Sequence, residues 1–166
     1  MAMARCRDCR RELGDHPRDA GFSLPDVVWN LDANQRKRRA KTSSDLCVLD
    51  GARFFLRGIA FVPILETADC FGWGFWVEMD RAAFGRYLDL FKADAPEGEP
   101  PRAGVIANSP KRYAPLEGHP VAVFFGPRKE RPRLVLAASD HALSKEQHQG
   151  IPVARLHQIN DLIAGP

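Results

Sequence analysis

A chain of 166 residues, 45% apolar and 27% charged, is long enough for one compact domain with a proper core and too short for two comfortable ones. No apolar run approaches the ~20 residues that span a bilayer, which excludes a membrane-spanning helix. A net charge of +3 is too small to argue for nucleic acid unless it is concentrated on one face.

The chain begins with a basic segment that carries CRDCRRELGDH at residues 6–16, with Cys6 and Cys9 two residues apart and His16 beyond them. It lacks the apolar stretch of a signal peptide, so the cytosol is the expected compartment. In a reducing compartment Cys6, Cys9, Cys47 and Cys70 read as metal-binding, redox or plain buried thiols rather than as two disulfides. A Pro- and Gly-punctuated loop follows, then a short polar helix predicted over Asp32 to Lys41 with Asp32 as N-cap. Asp50-Gly51 between apolar runs predicts a hairpin of Leu46–Leu49 with Arg53–Phe61. Phe71, Trp73, Phe75, Val77 and Met79 alternate with Gly72, Gly74, Trp76 and Glu78, which predicts a strand with one face on the core.

Asp80 is placed to cap a helix whose stripe is Phe84, Tyr87, Leu88 and Phe91. Residues 92–104 read as a surface loop. Strands are predicted at Val121–Phe125 and Arg133–Ala137, joined by GPRKERP. Ser144 and Gln147 have capping-box spacing for a short helix ending at Gly150. Pro152 opens a last helix with Val153, Leu156, Ile159 and Ile163 inward. With no βαβ alternation, the expected class is α+β: a mainly antiparallel sheet of about five strands with helices packed on it, and an N-terminal cysteine knuckle. All of 1–166 is read as one domain, a cysteine-containing segment at 1–22 and an α+β body at 23–166.

Five segments taken in order carry a resemblance: CRDC, SSDLCVLDG (43–51), FFLRGIAFVPI (54–64), WGFWVEM (73–79) and DHALSKEQHQGI (140–151). Together they are similar to the bacterial family catalogued as domain of unknown function 2199, over nearly the whole chain. The resemblance implies a C-x-x-C-G with a histidine close behind it and an S-D-L-C further on. Here Arg10 stands in place of that glycine, and His16 lies seven residues after Cys9.

Two cysteines on one tight turn aim both sulfurs at a single point, and zinc wants four tetrahedral thiolate or imidazole ligands. Cys6, Cys9, Cys47 and His16 are therefore the expected metal set, a structural zinc that would pin the N-terminal segment to the sheet. Redox activity needs a helix after the pair, and none is visible. The run QRKRRAKT holds Arg36, Arg38 and Arg39, expected as a basic binding face although a solvated helix face is the blander reading. Arg57, a charge inside an apolar strand, is the fourth candidate for binding; the blander reading has it reaching a carboxylate such as Glu78. The histidines are scattered, and neither H-E-x-x-H, G-x-S-x-G nor a phosphate-cradling glycine loop is present. These readings favour a non-enzymatic binding protein whose partner is another protein, as in an adaptor or an immunity protein covering a toxin. A zinc- or thiol-dependent enzyme centred on Cys6, Cys9 and Cys47 is the alternative, and nucleic acid is the less expected partner.

Overall fold

The structure, a computed structural model, describes residues 19–92, 98–127 and 130–164, the last four of these (161–164) without their side chains. In chain order these residues form β1 (Asp19–Gly21), α1 (Asp26–Trp29), α2 (Ala33–Arg39), β2 (Ala40–Thr42), β3 (Leu46–Leu49), β4 (Arg53–Pro63) and β5 (Cys70–Met79). Then follow α3 (Arg81–Leu90), β6 (Arg102–Ile106), β7 (Pro120–Phe124), β8 (Arg133–Leu136), α4 (Ala142–Gln149) and α5 (Val153–Ala164).

The predicted hairpin forms about Asp50 and Gly51, both with positive φ, and pairs Leu46 with Leu56 and Leu49 with Arg53. β4 continues antiparallel to β5 from Phe54↔Met79 to Pro63↔Cys70. Alternation along both strands places Leu56, Ala60 and Val62 beside Phe71, Phe75 and Val77 on one buried face. β6, β7 and β8 add in antiparallel succession from β5. The ring then closes through one parallel match, Ile59↔Arg133 between β4 and β8, giving a five-stranded barrel within an eight-stranded sheet among the described residues.

That seam depends on Gly58. A Cβ there would lie 2.8 Å from the Leu134 side chain and 2.9 Å from the Pro132 carbonyl oxygen, which accepts from the Ile59 N–H. β3 and β2 extend the sheet from the first half of β4, and β1 adds to β5 in parallel at Gly72–Gly74.

The core has two parts. The barrel interior and the helices Phe84, Leu143, Leu156 and Ile159 belong to make up the larger. A smaller one lies on the outer face of β3, β4 and β5, where Cys47, Leu49, Phe55 and Trp76 meet Val28 of α1. The strict alternation of β5 predicted one buried face; Trp76 shows that the other face is buried as well along part of its length.

The structure has more strands than expected, and four details depart from the sequence reading. β6 lies partly inside the stretch read as loop, since proline and glycine around it hide a five-residue strand. α3 is capped by Asp80 as expected, but it buries Ala83, Phe84 and Leu90, while Leu88 and Phe91 are exposed. α4 starts three residues earlier than Ser144 as N-cap suggests, with the His141 ring accepting from the Leu143 N–H. Ser144 and Gln147 instead bind the backbone of residues 134–137, Ser144 Oγ donating to Ala137 and Gln147 accepting from Leu136 and donating to Leu134.

Ahead of β6, the Glu99 carboxylate accepts from Arg86 at 2.9 and 3.0 Å and from Arg102 at 3.0 Å. The two guanidiniums hold its carboxyl at about 2, against an ordinary 4.5. A depressed carboxyl contributes stability that is complete above its unfolded value and lost as pH falls towards its folded one. Between pH 4.5 and 2 the urea midpoint of the wild type should therefore fall more steeply than that of Glu99→Gln. Parallel slopes would mean that the cluster contributes nothing.

Candidate functional site

On the outside of the barrel, β5 presents Gly72 and Gly74, and β1 sets Asp19 and Gly21 opposite them. Three glycines leave a floor of bare backbone, close enough that a Cβ on Gly74 would stand 3.4 Å from the Gly21 Cα. Arg57 and Ile59 of β4 form one wall, Arg131 stands just ahead of β8, and Asp19 lies at the rim. The space between them is about 140 Å3, room for about five waters at ~30 Å3 each.

The two arginines differ in their commitments. Arg131 Nε donates to Asp45 Oδ1 at 2.7 Å, so its charge is paired. Arg57 forms no ion pair with a carboxylate among the described residues. Its Nη1 donates to the Ser44 carbonyl at 3.3 Å, its guanidinium lies 5.9 Å over the Trp76 ring, and its Nε is buried without a partner. Burial lowers its pKa, Arg131 adds to this and Asp45 opposes it. Arg57 is thus a partly buried cation with no carboxylate paired to it among the described residues, set beside bare strand backbone. Glu78, the carboxylate expected for Arg57, is instead gripped by Arg53 at 3.0 and 2.7 Å.

The predicted basic face on α2 is largely spent on the fold. Arg36 donates to the carbonyls of Val28, Trp29 and Leu31, closing the end of α1. Arg39 makes a two-pronged pair with Asp50 at 2.8 and 2.9 Å. Arg38 is exposed. Of the four arginines singled out in the sequence, Arg57 alone lines the groove. Arg131 was missed because GPRKERP has the composition of any polar turn; its only signal was adjacency to a strand.

Cys47 is fully buried against Val28, Leu49, Phe55 and Trp76, and burial pushes its thiol up to about 11. At neutral pH that is a protonated, unreactive group unless a metal displaces the proton. Cys6, Cys9 and His16, the other expected metal ligands, lie outside the described residues. Among the described residues no group of three or more His, Cys, Asp or Glu is placed to hold a metal. Nor is any helix among them long and apolar enough to cross a membrane.

Two histidines that looked scattered in the sequence come together beside the turn from β8 to α4. His119 Nε2 lies 2.8 Å from Ser139 Oγ and its Nδ1 2.9 Å from the Pro120 carbonyl, an acceptor to which Nδ1 donates. Ser139 also accepts from the His141 N–H at 3.2 Å, so the arrangement fastens the turn.

The fold and the groove define an α+β protein built on a closed five-stranded barrel, with an arginine set against bare strand backbone. The chain belongs to the family described as an uncharacterized protein conserved in bacteria, DUF2199, whose pattern matches residues 5–151. No curated protein matches the chain, and no solved structure does.

Proposed function

We propose that the chain is a non-enzymatic binding protein, of adaptor or immunity type, which captures a protein partner by seating an acidic side chain of that partner against Arg57. The observation that carries this reading is the Arg57 guanidinium, without an ion pair among the described residues and with its Nε unpartnered, at the edge of a glycine-floored groove. Large apolar side chains lie further along the same strand: Phe61, paired across to Gly72 of the groove floor and on the same face of β4 as Arg57 and Ile59, is 44% exposed, and Leu65, past the end of β4, is 46% exposed. Arginine beside exposed aromatic and aliphatic groups is the composition of an interface centre, where a buried charge pair supplies specificity and apolar contact supplies affinity.

The test begins with cross-linking in the producing bacterium, followed by calorimetry with the purified partner. Arg57→Ala should weaken binding about 30-fold or more, the effect of removing one member of a desolvated charge pair. Arg38→Ala, on the exposed face of α2, should stay within about twofold. Equal affinities for wild type and Arg57→Ala would remove the groove as the binding site, and repeated failure to cross-link any protein would count against the whole reading.

A further inference from the structure

The groove beside Arg57 is lined by a second cation whose donors are not all spent. Arg131 uses its Nε on Asp45 Oδ1 at 2.7 Å; neither of its Nη groups makes a hydrogen bond among the described residues, and its side chain is 39% exposed. Arg57 uses Nη1 on the Ser44 carbonyl at 3.3 Å, and its Nε is shut away from solvent. Its Nη2 differs from both. It has no partner among the described residues, it is not shut away, and it lies over the groove floor, where a Cβ on Gly21 would stand 3.4 Å from it. The donors that a ligand in the groove can reach are therefore Arg57 Nη2 and the Nη pair of Arg131.

One turn sets both arginines, the S-S-D that leads into β3. Ser43 closes it, its N–H donating to the Leu46 carbonyl at 2.8 Å and its hydroxyl accepting from the Leu46 N–H at 3.1 Å. The Asp45 carbonyl accepts from the Arg57 backbone N–H at 3.0 Å, while the Asp45 carboxylate holds Arg131 on one oxygen and the Ser44 hydroxyl on the other. Two like charges are thus fixed towards one groove, and Arg131 is among the causes that lower the Arg57 pKa. With Asp45 committed, Asp19 at the rim is the one acidic side chain among the residues that line the groove.

We propose that this groove takes the phosphoryl group of a phosphomonoester, held between Arg57 Nη2 and the Nη groups of Arg131. The inference rests on the reading that the Arg57 groove is the binding site, and it names the anion preferred there. A carboxylate has two oxygens, and a single guanidinium fork satisfies it. A phosphoryl group presents three acceptor oxygens and up to two charges, enough for both arginines. Room for about five waters admits it over the glycine floor and leaves its carrier outside, towards Phe61, which pairs across to Gly72. The carrier is therefore a phosphorylated side chain of the protein partner rather than an enclosed metabolite.

The test is a titration of the full chain, labelled with nitrogen-15, with inorganic phosphate and separately with acetate, each against sodium chloride of equal ionic strength. Phosphate should shift the backbone amide resonances of Gly21, Gly72 and Gly74 saturably, with millimolar affinity. Arg57→Lys and Arg131→Lys keep the charge and lose the fork, and each should weaken phosphate about fivefold or more. Asp19→Asn should tighten it about two- to fivefold, and Arg38→Ala should leave it within about twofold. Shifts that chloride reproduces, shifts confined to other residues, or equal affinity for acetate would overturn the proposal; the last would leave the capture of a carboxylate by Arg57 standing. Capped phosphoserine and glycerol phosphate separate the sources: tighter binding of capped phosphoserine supports a protein carrier, and equal or tighter binding of glycerol phosphate refutes it. If an arginine variant does not fold, Asp19→Asn decides, since an affinity unchanged by that loss of charge refutes the groove.

Discussion

Replacing Trp76 by alanine is expected to destabilise the protein by about 3–5 kcal/mol. For a chain of this size that lowers the midpoint of thermal unfolding by roughly 6–20 °C. Trp76 is fully buried and is the largest side chain of the outer cluster. It packs with Phe55 and Val28, and its indole N–H donates to the Phe22 carbonyl at 3.0 Å. Truncation removes the apolar contact, opens a cavity under α1, and strands that carbonyl. Trp76→Phe should recover most of the packing and lose only the bond, so its midpoint should fall between the other two. A loss below about 1 kcal/mol for the alanine variant, the scale of an ordinary surface change, would show that the outer cluster is not a core.

The second large effect belongs to Asn108, which is fully buried yet has both polar atoms of its side chain satisfied. Its Oδ1 accepts from the Trp76 backbone N–H at 2.8 Å, and its Nδ2 donates to the Leu24 carbonyl and to Asp26 Oδ1, both at 2.9 Å. One side chain thus ties β5 to the segment that leads into α1. Asn108→Ala should cost about 2–4 kcal/mol, from two or more buried groups left unmatched. Asn108→Asp should be worse, because it sets a carboxylate against that of Asp26. Urea unfolding at neutral pH decides the matter: losses within about 0.5 kcal/mol for both variants would show the bridge to be idle. Since Asn108 holds the backbone of Trp76, the double variant should fall short of the sum of the two singles.

How far the sequence could be read depended on whether the signal was local. The hairpin about Asp50 and Gly51, the Asp32 N-cap and the Asp80 cap rest on neighbouring residues, and each appears as expected. Barrel closure does not, because Ile59 and Arg133 carry no mark that pairs them. The same limit applied to the candidate site. Arg57 stood out because an apolar strand rarely holds a charge, whereas Arg131 acquires its place only once the ring is shut. The basic run on α2 was less legible for a complementary reason: composition counts charges and does not reveal that Arg36 and Arg39 already serve local carbonyls and Asp50.

The far edge of β4 has one more consequence, for the chain during synthesis. The groups that cover it beyond Gly58 come late: the Pro132 carbonyl meets Ile59, Gln147 Nε2 reaches the Phe61 carbonyl, and the Ile151 N–H donates to Pro63. A ribosome delivers β4 well before any of these, so the nascent protein passes through an interval with a naked strand edge, the kind of surface on which other chains template themselves. Gly58 weakens that edge as a strand and Pro63 offers no N–H, two interruptions that make it a poor template until the last third of the chain arrives to seal it.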